Sequence, residues 1–164
     1  MKKILMLLGL FGFALTFQSC GNQVDSKLSE NNASPVEWSK NAVIYEVNIR
    51  QYSEEGTFKA FEEQLPRLKE MGVDILWLMP IHPIGIENRK GGLGSYYSIK
   101  DYTAVNPEFG SVEDMKSLIS KTHELGMHII IDWVANHSAW DHAWVKDHPE
   151  YYKKDSIGNL VSPF

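Results

Sequence analysis

Cysteine is almost absent from this sequence of 164 residues: Cys20 stands alone, so no disulfide can form within the chain. Basic residues are also scarce, with 16 Lys and Arg against 21 Asp and Glu. Lys2 and Lys3 sit in a leader; without them the balance is 14 against 21, a net of −7. Phosphate backbones need a basic footprint, which argues against nucleic acid as the main partner. No apolar run is long enough to span a bilayer comfortably. A Gly-rich phosphate turn after the first strand-like segment is also missing, which lowers any nucleotide-binding reading. Aromatics, by contrast, are plentiful, with five Trp and seven Tyr. An acidic, aromatic-rich surface suits neutral, hydroxyl-rich ligands. The length and the ordinary share of apolar residues, 43%, fit one globular domain.

The first residues read as an export signal. Lys2 and Lys3 form a basic start, residues 4–17 an apolar core of signal-peptide length, and Phe17-Gln18-Ser19-Cys20-Gly21 follows. A small residue before the lone Cys resembles the lipobox of bacterial lipoproteins. That resemblance implies cleavage before Cys20, lipidation of its thiol, and a membrane anchor of more than one acyl chain. Residues 21–37 are rich in Asn, Ser, Glu and Gln and read as a tether. The expected divisions are a signal peptide at 1–19, lipidated Cys and tether at 20–37, and a folded part from 38. The protein is expected to be exported, as an outer-membrane or cell-surface lipoprotein or in the periplasm.

The folded part alternates strand-like and helix-like segments. Residues 42–49 are β-branched and aromatic and predict a strand. Thr57 offers an N-cap, and Phe58, Phe61, Leu65, Leu68 and Met71 recur at helical spacing up to Gly72. Pro66 inside that helix predicts a kink. Residues 73–81 are nearly all apolar, which suits a parallel strand covered by helices. A long, Gly-containing segment, residues 82–110, is of the kind that usually carries function. Ser111-Val112-Glu113-Asp114 resembles a capping box with Asp in place of Glu or Gln. Val112, Met115, Leu118, Ile119, Thr122 and Leu125 then form a helical stripe up to Gly126. The strand from His128 ends in Asp132. This β-α-β-loop-α-β order predicts an α/β fold with parallel strands, either a doubly wound open sheet or a (β/α)8 barrel; both bind ligands at the C-terminal strand ends.

The most informative stretch is Asp132-Trp133-Val134-Ala135-Asn136-His137, where an apolar strand ends abruptly in polar groups. On a strand, Asp132 shares a face with Ile130 and His128 and can hang at the mouth. Asn136 and His137 lie just past it, where an oxygen can bind a hard cation and an imidazole can donate to a hydroxyl. The same residues also suit a loop that satisfies only its own backbone.

This stretch resembles the first signature region of the α-amylase family (glycoside hydrolase family 13), Asp-x-Val-x-Asn-His at the end of the third barrel strand. Residues 42–52, AVIYEVNIRQY, resemble that family's first strand, and GVDILWLMPIHPIG its second strand and following loop. LGSYYSIKDYTAVNPEFGS resembles the segment whose Tyr stacks on the sugar, and HSAWDHAWVKDHPEYY the start of the loop domain after strand three. The ordered set covers about residues 38–164. It implies the first three (β/α) units of a TIM barrel at 38–137 and the beginning of the inserted loop domain at 138–164.

The resemblance implies roles residue by residue. Tyr97 would stack on the sugar, His137 would hydrogen-bond its 6-hydroxyl, and Asn136 would give a carbonyl ligand to a structural Ca²⁺. Asp132 would organise the barrel mouth, and Asp101 would help to hold the loop of Tyr97. Trp140 and Trp144 suit packing within the loop domain better than sugar platforms, and His82, His142 and His148 follow no metal-ligand spacing. The family's reacting carboxylates follow strands four and five, and none of Asp132, Asp141, Asp147 or Glu150 matches their motifs. The chain is therefore expected to be the N-terminal fragment of an enzyme cleaving α-1,4-glucosidic bonds of starch, glycogen or maltooligosaccharides with retention, and to be inactive alone. A transglycosylase of the same family, or a non-catalytic glucan-binding lipoprotein, are the alternatives.

Overall fold

Three apolar runs form the sheet. The computed structural model describes residues 35–162; the signal peptide, Cys20 and nearly all of the tether lie outside them. β1 (Ile44–Val47), β2 (Ile75–Leu78) and β3 (His128–Ile131) are parallel, in the order β1-β2-β3. The register sets Val47 beside Leu78 and Leu78 beside Ile131. Consecutive order excludes the doubly wound arrangement in which the chain switches edges after its first strand.

Helices cover one face of this sheet. Val47, Leu76 and Leu78 point into a core shared with Phe58, Phe61, Leu65, Leu68, Met115 and Leu118. Each of these side chains, fully buried, contributes roughly 1.5–3 kcal/mol of transfer free energy. The opposite, concave face presents Ile44, Glu46 and Ile130, all exposed among the described residues. Parity carries Asp132 onto this face, and its N–H continues the ladder to Leu78 O at 2.9 Å.

Two expected elements differ in detail. The first strand stops at Val47, and Ile49 instead opens a short helix, α1 (Ile49–Tyr52), that turns its buried side chain into the core. The helix after Thr57 is not one kinked rod. It breaks into α2 (Phe58–Glu62) and α3 (Leu65–Glu70), with Pro66 in the first turn of α3. There the missing N–H has no intrahelical partner to lose, so proline starts a helix where it would have bent one.

The predicted helix ends are present. Thr57 Oγ1 accepts from Ala60 N at 3.2 Å. Ser111 and Asp114 form a reciprocal capping box on α4 (Val112–Glu124), with Ser111 N donating to Asp114 Oδ2 at 2.8 Å and Asp114 N to Ser111 Oγ at 3.1 Å. Gly72 and Gly126 stop α3 and α4 with φ of 86° and 70°. Each is followed by a six-to-one bond, Val73 N to Leu68 O and Met127 N to Thr122 O, both 3.1 Å, which is the Schellman closure. Thr122 sits fully buried in the α4 stripe because its hydroxyl donates back to Leu118 O at 2.7 Å. Val112, at the first position, is exposed instead.

Candidate functional site

The polar groups gather at the C-terminal ends of the strands. Tyr97 comes from the long segment after β2, and its phenol donates to Asp132 Oδ2, just past β3, at 2.8 Å. The Tyr97 ring stays 38% exposed, so the bond fixes its direction without covering its face. That hydrogen bond is the main reason its phenol is held above its ordinary pKa; burial and the charges of Asp132 and Glu46 act the same way. Tyr97 is thus a neutral donor at physiological pH.

His137 and Asn136 line the same groove as Tyr97. Asn136 Nδ2 makes a long contact of 3.4 Å with His137 Nδ1. With Nδ1 accepting, the ring proton sits on Nε2, the arrangement a hydroxyl acceptor needs. Behind them the Tyr102 hydroxyl lies 2.8 Å from Val134 O and 2.7 Å from His137 O, so one phenol closes the turn after Asp132. Tyr97, Asn136 and His137 line a single groove of about 760 Å³, together with Trp140, Trp144 and Tyr152.

Asp101 serves its own turn. Its Oδ1 accepts from the Thr103 hydroxyl at 2.7 Å and the Thr103 N–H at 2.8 Å, which holds its carboxyl below the usual range. Further bonds hold the same loop beside Tyr97. Ser95 Oγ accepts from Tyr97 N at 3.2 Å, and Arg50 Nε donates to the neighbouring Tyr96 hydroxyl at 2.8 Å with its guanidinium over that ring. Arg89 donates to the carbonyls of Gly85 at 2.7 Å and Ile84 at 3.1 Å. Sequence reasoning missed Arg50 and Arg89. For Arg89 the available signal was a cation within a Gly-containing loop whose carbonyls need donors; Arg50 lies 46 residues from Tyr96 and gave none.

The segment after β3 forms an aromatic wall. Trp144, on α5 (Ala143–Asp147), lies nearly parallel to Tyr102 with centroids 5.7 Å apart and meets His142 at 4.6 Å. Trp144 packs and also lines the groove, as does Trp140, and both rings remain exposed. His142 is only 6% exposed and accepts from Trp144 N at its Nδ1, 3.1 Å. Burial pushes its pKa down, against the pull of Asp101 and Asp141. His82 Nδ1 bonds Ala104 O at 2.9 Å, and His148 pairs with Glu150 at 3.1 Å.

Calcium does not fit these residues by themselves. The ion takes about six to eight oxygens. No group of three or more His, Cys, Asp or Glu suited to a metal occurs among the described residues. The Val134 and His137 carbonyls near Asn136 share the single Tyr102 hydroxyl proton. Asn136 adds a single exposed side-chain oxygen.

Comparison with known proteins is consistent across sequence and structure. The family profile "Alpha amylase, catalytic domain" matches residues 18–157. An alpha-1,4-glucan:maltose-1-phosphate maltosyltransferase of Rhodospirillum rubrum is 37% identical over 137 residues, which cover 73% of this chain and 20% of that protein. A trehalose synthase of a Pimelobacter species is 38% identical, covering 66% of this chain and 19% of that protein. The crystal structure of an alpha-amylase from Lactobacillus plantarum superposes with a TM-score of 0.74 at 48% identity, covering 76% of this chain and 29% of that one. The chain thus spans about a fifth of the length of the curated relatives it matches.

Proposed function

Because the chain belongs to the alpha-amylase catalytic-domain family and its strands are the opening units of that family's (β/α)8 barrel, we propose that it forms part of a longer glycosidase. That enzyme hydrolyses α-1,4-glucosidic bonds of starch, glycogen or maltooligosaccharides with retention. The observation that carries this reading is the groove. It brings Tyr97, Asn136 and His137, from two separate segments, into one groove at the C-terminal ends of the strands. In this reading the exposed Tyr97 ring is a stacking surface for a pyranose, oriented by Asp132, and His137 donates to a sugar hydroxyl.

Retention requires two carboxylates about 5–5.5 Å apart, one nucleophilic and one acting as acid and base. No Asp or Glu is among the described residues lining the groove. Asp132 accepts from Tyr97, Asp101 from Thr103, and Asp141 pairs with Lys100. By the family resemblance, the reacting pair is assigned to later strands of the longer protein, and the 164-residue chain alone is assigned no activity.

A second reading is favoured by the relatives, which include a maltosyltransferase and a trehalose synthase. In it the same groove holds a glucosyl donor, and a second sugar replaces water as acceptor. Product analysis on maltoheptaose decides. The full-length protein should release shorter maltooligosaccharides, or longer ones and non-reducing products if transfer dominates. The 164-residue chain should release none, and Tyr97→Ala in the full-length protein should lower kcat/KM about 10- to 100-fold, the loss of one oriented stacking partner. Binding of maltoheptaose without any product would replace both readings with a glucan-binding role.

A further inference from the structure

The loop after β2 and the segment after β3 meet along one seam, and Asp141 closes it. On the first side residues 83–86 run antiparallel to residues 98–100. Gly85 N donates to Ser98 O and Lys100 N to Pro83 O, both at 2.8 Å, and Ile84 bridges Ile99. From the second side Ala139 N donates to Ile99 O at 2.7 Å. Asp141 then spans both. Its Oδ2 accepts from Ile86 N at 3.0 Å and pairs with Lys100 Nζ at 3.2 Å. Its Oδ1 faces Gly85, where a Cβ would stand 2.7 Å away and would also collide with the Ala139 methyl. The approach is so close that position 85 has no room for a side chain.

This carboxylate is better shielded than a surface ion pair. The Asp141 side chain is 18% exposed, against 41% for Lys100. A bond from a backbone amide to a carboxylate is charge-assisted and about twice as strong as a neutral one. Asp141 itself does not line the groove, but its neighbour Trp140 does, and so does Tyr97, next to Ser98 on the opposite side of the seam. Whatever fixes the seam therefore fixes the span between the Tyr97 ring and the aromatic wall.

We infer that Asp141, through Ile86 N–H and Lys100, is a positioning residue that sets the width of the groove and so the seating of its ligand. It touches neither the ligand nor the reacting atoms. The inference rests on the glucoside reading above for its ligand, and on the seam alone for its clamp.

The test uses the full-length protein and maltoheptaose. Asp141→Ala should raise KM about 10- to 100-fold, the scale of a 1 Å misplacement, with a smaller change in kcat. Asp141→Asn keeps an acceptor for Ile86 N–H and should recover part of the loss. Lys100→Ala should raise KM less, and the double variant should fall short of the product of the two, because both act through one pair. Wild-type KM in Asp141→Ala overturns the proposal, even if its melting temperature falls. Hydrogen exchange reads the clamp without turnover. Ile86 and Ala139 amides should exchange faster in Asp141→Ala, and unchanged exchange overturns the proposal as well. If the wild-type protein acts on no α-glucoside, the proposed function fails while the exchange still decides the clamp.

Discussion

His142 is a buried base enclosed by aromatic rings. Tyr102 and Trp144 lie against its ring, and Asp101 and Asp141 are near enough to pull its pKa upward, yet burial wins and the ring stays neutral. A His with a depressed folded pKa binds fewer protons folded than unfolded. Its contribution to stability is intact above the unfolded value of about 6.5 and is lost as pH falls below it toward the folded value. The melting temperature of the full-length protein should therefore fall between pH 7 and 5, and His142→Gln should flatten that slope. An identical slope in the variant would locate the pH dependence in other groups. At this scale the sequence spoke unevenly. Tyr97, Asn136 and His137 stand in a recognisable motif and do line one groove. The Ile86–Asp141 bond joins residues 55 apart, and Arg50 reaches Tyr96 across 46, so no local spacing announces either.

Element boundaries follow from which backbone groups find partners. The α4 capping box is the clearest case, since Ser111 and Asp114 satisfy each other's N–H groups. Ser111→Ala should cost about 1 kcal/mol, with Ser111→Thr nearly neutral, measured by urea unfolding of the full-length protein. Equal stability of the Ala variant would mean that water serves the helix end equally well. Caps, glycine stops and apolar runs were all legible because each is a local signal. Three features were not. The turn at Ile49 is set by core burial of that side chain rather than by the β-branched pattern before it. The break between α2 and α3 depends on whether Pro66 falls inside a helix or in its first turn, and periodicity cannot tell these apart. α5 has five residues, too few to show a period, and is started by the His142 side chain accepting from Trp144 N.

At the scale of the molecule, the sheet order, the one-sided helical cover and the gathering of polar groups at one set of strand ends agree with the barrel of the family. Among the described residues no helix is long and apolar enough to cross a membrane. We propose that membrane attachment comes from lipidation of Cys20, on the strength of the leader's pattern alone. The full-length protein should then partition into the Triton X-114 detergent phase, and Cys20→Ala should move it to the aqueous phase. Aqueous partition of the wild type would remove the lipid from the account. Trp38 stacks on His128, the opening residue of β3, with ring centroids 3.7 Å apart. Trp38 thus caps the N-terminal pole of the sheet, whereas Tyr97 and His137 sit at the other. The two ends of the sheet thus differ in kind: stacked rings close one, and an open, aromatic-lined groove marks the other.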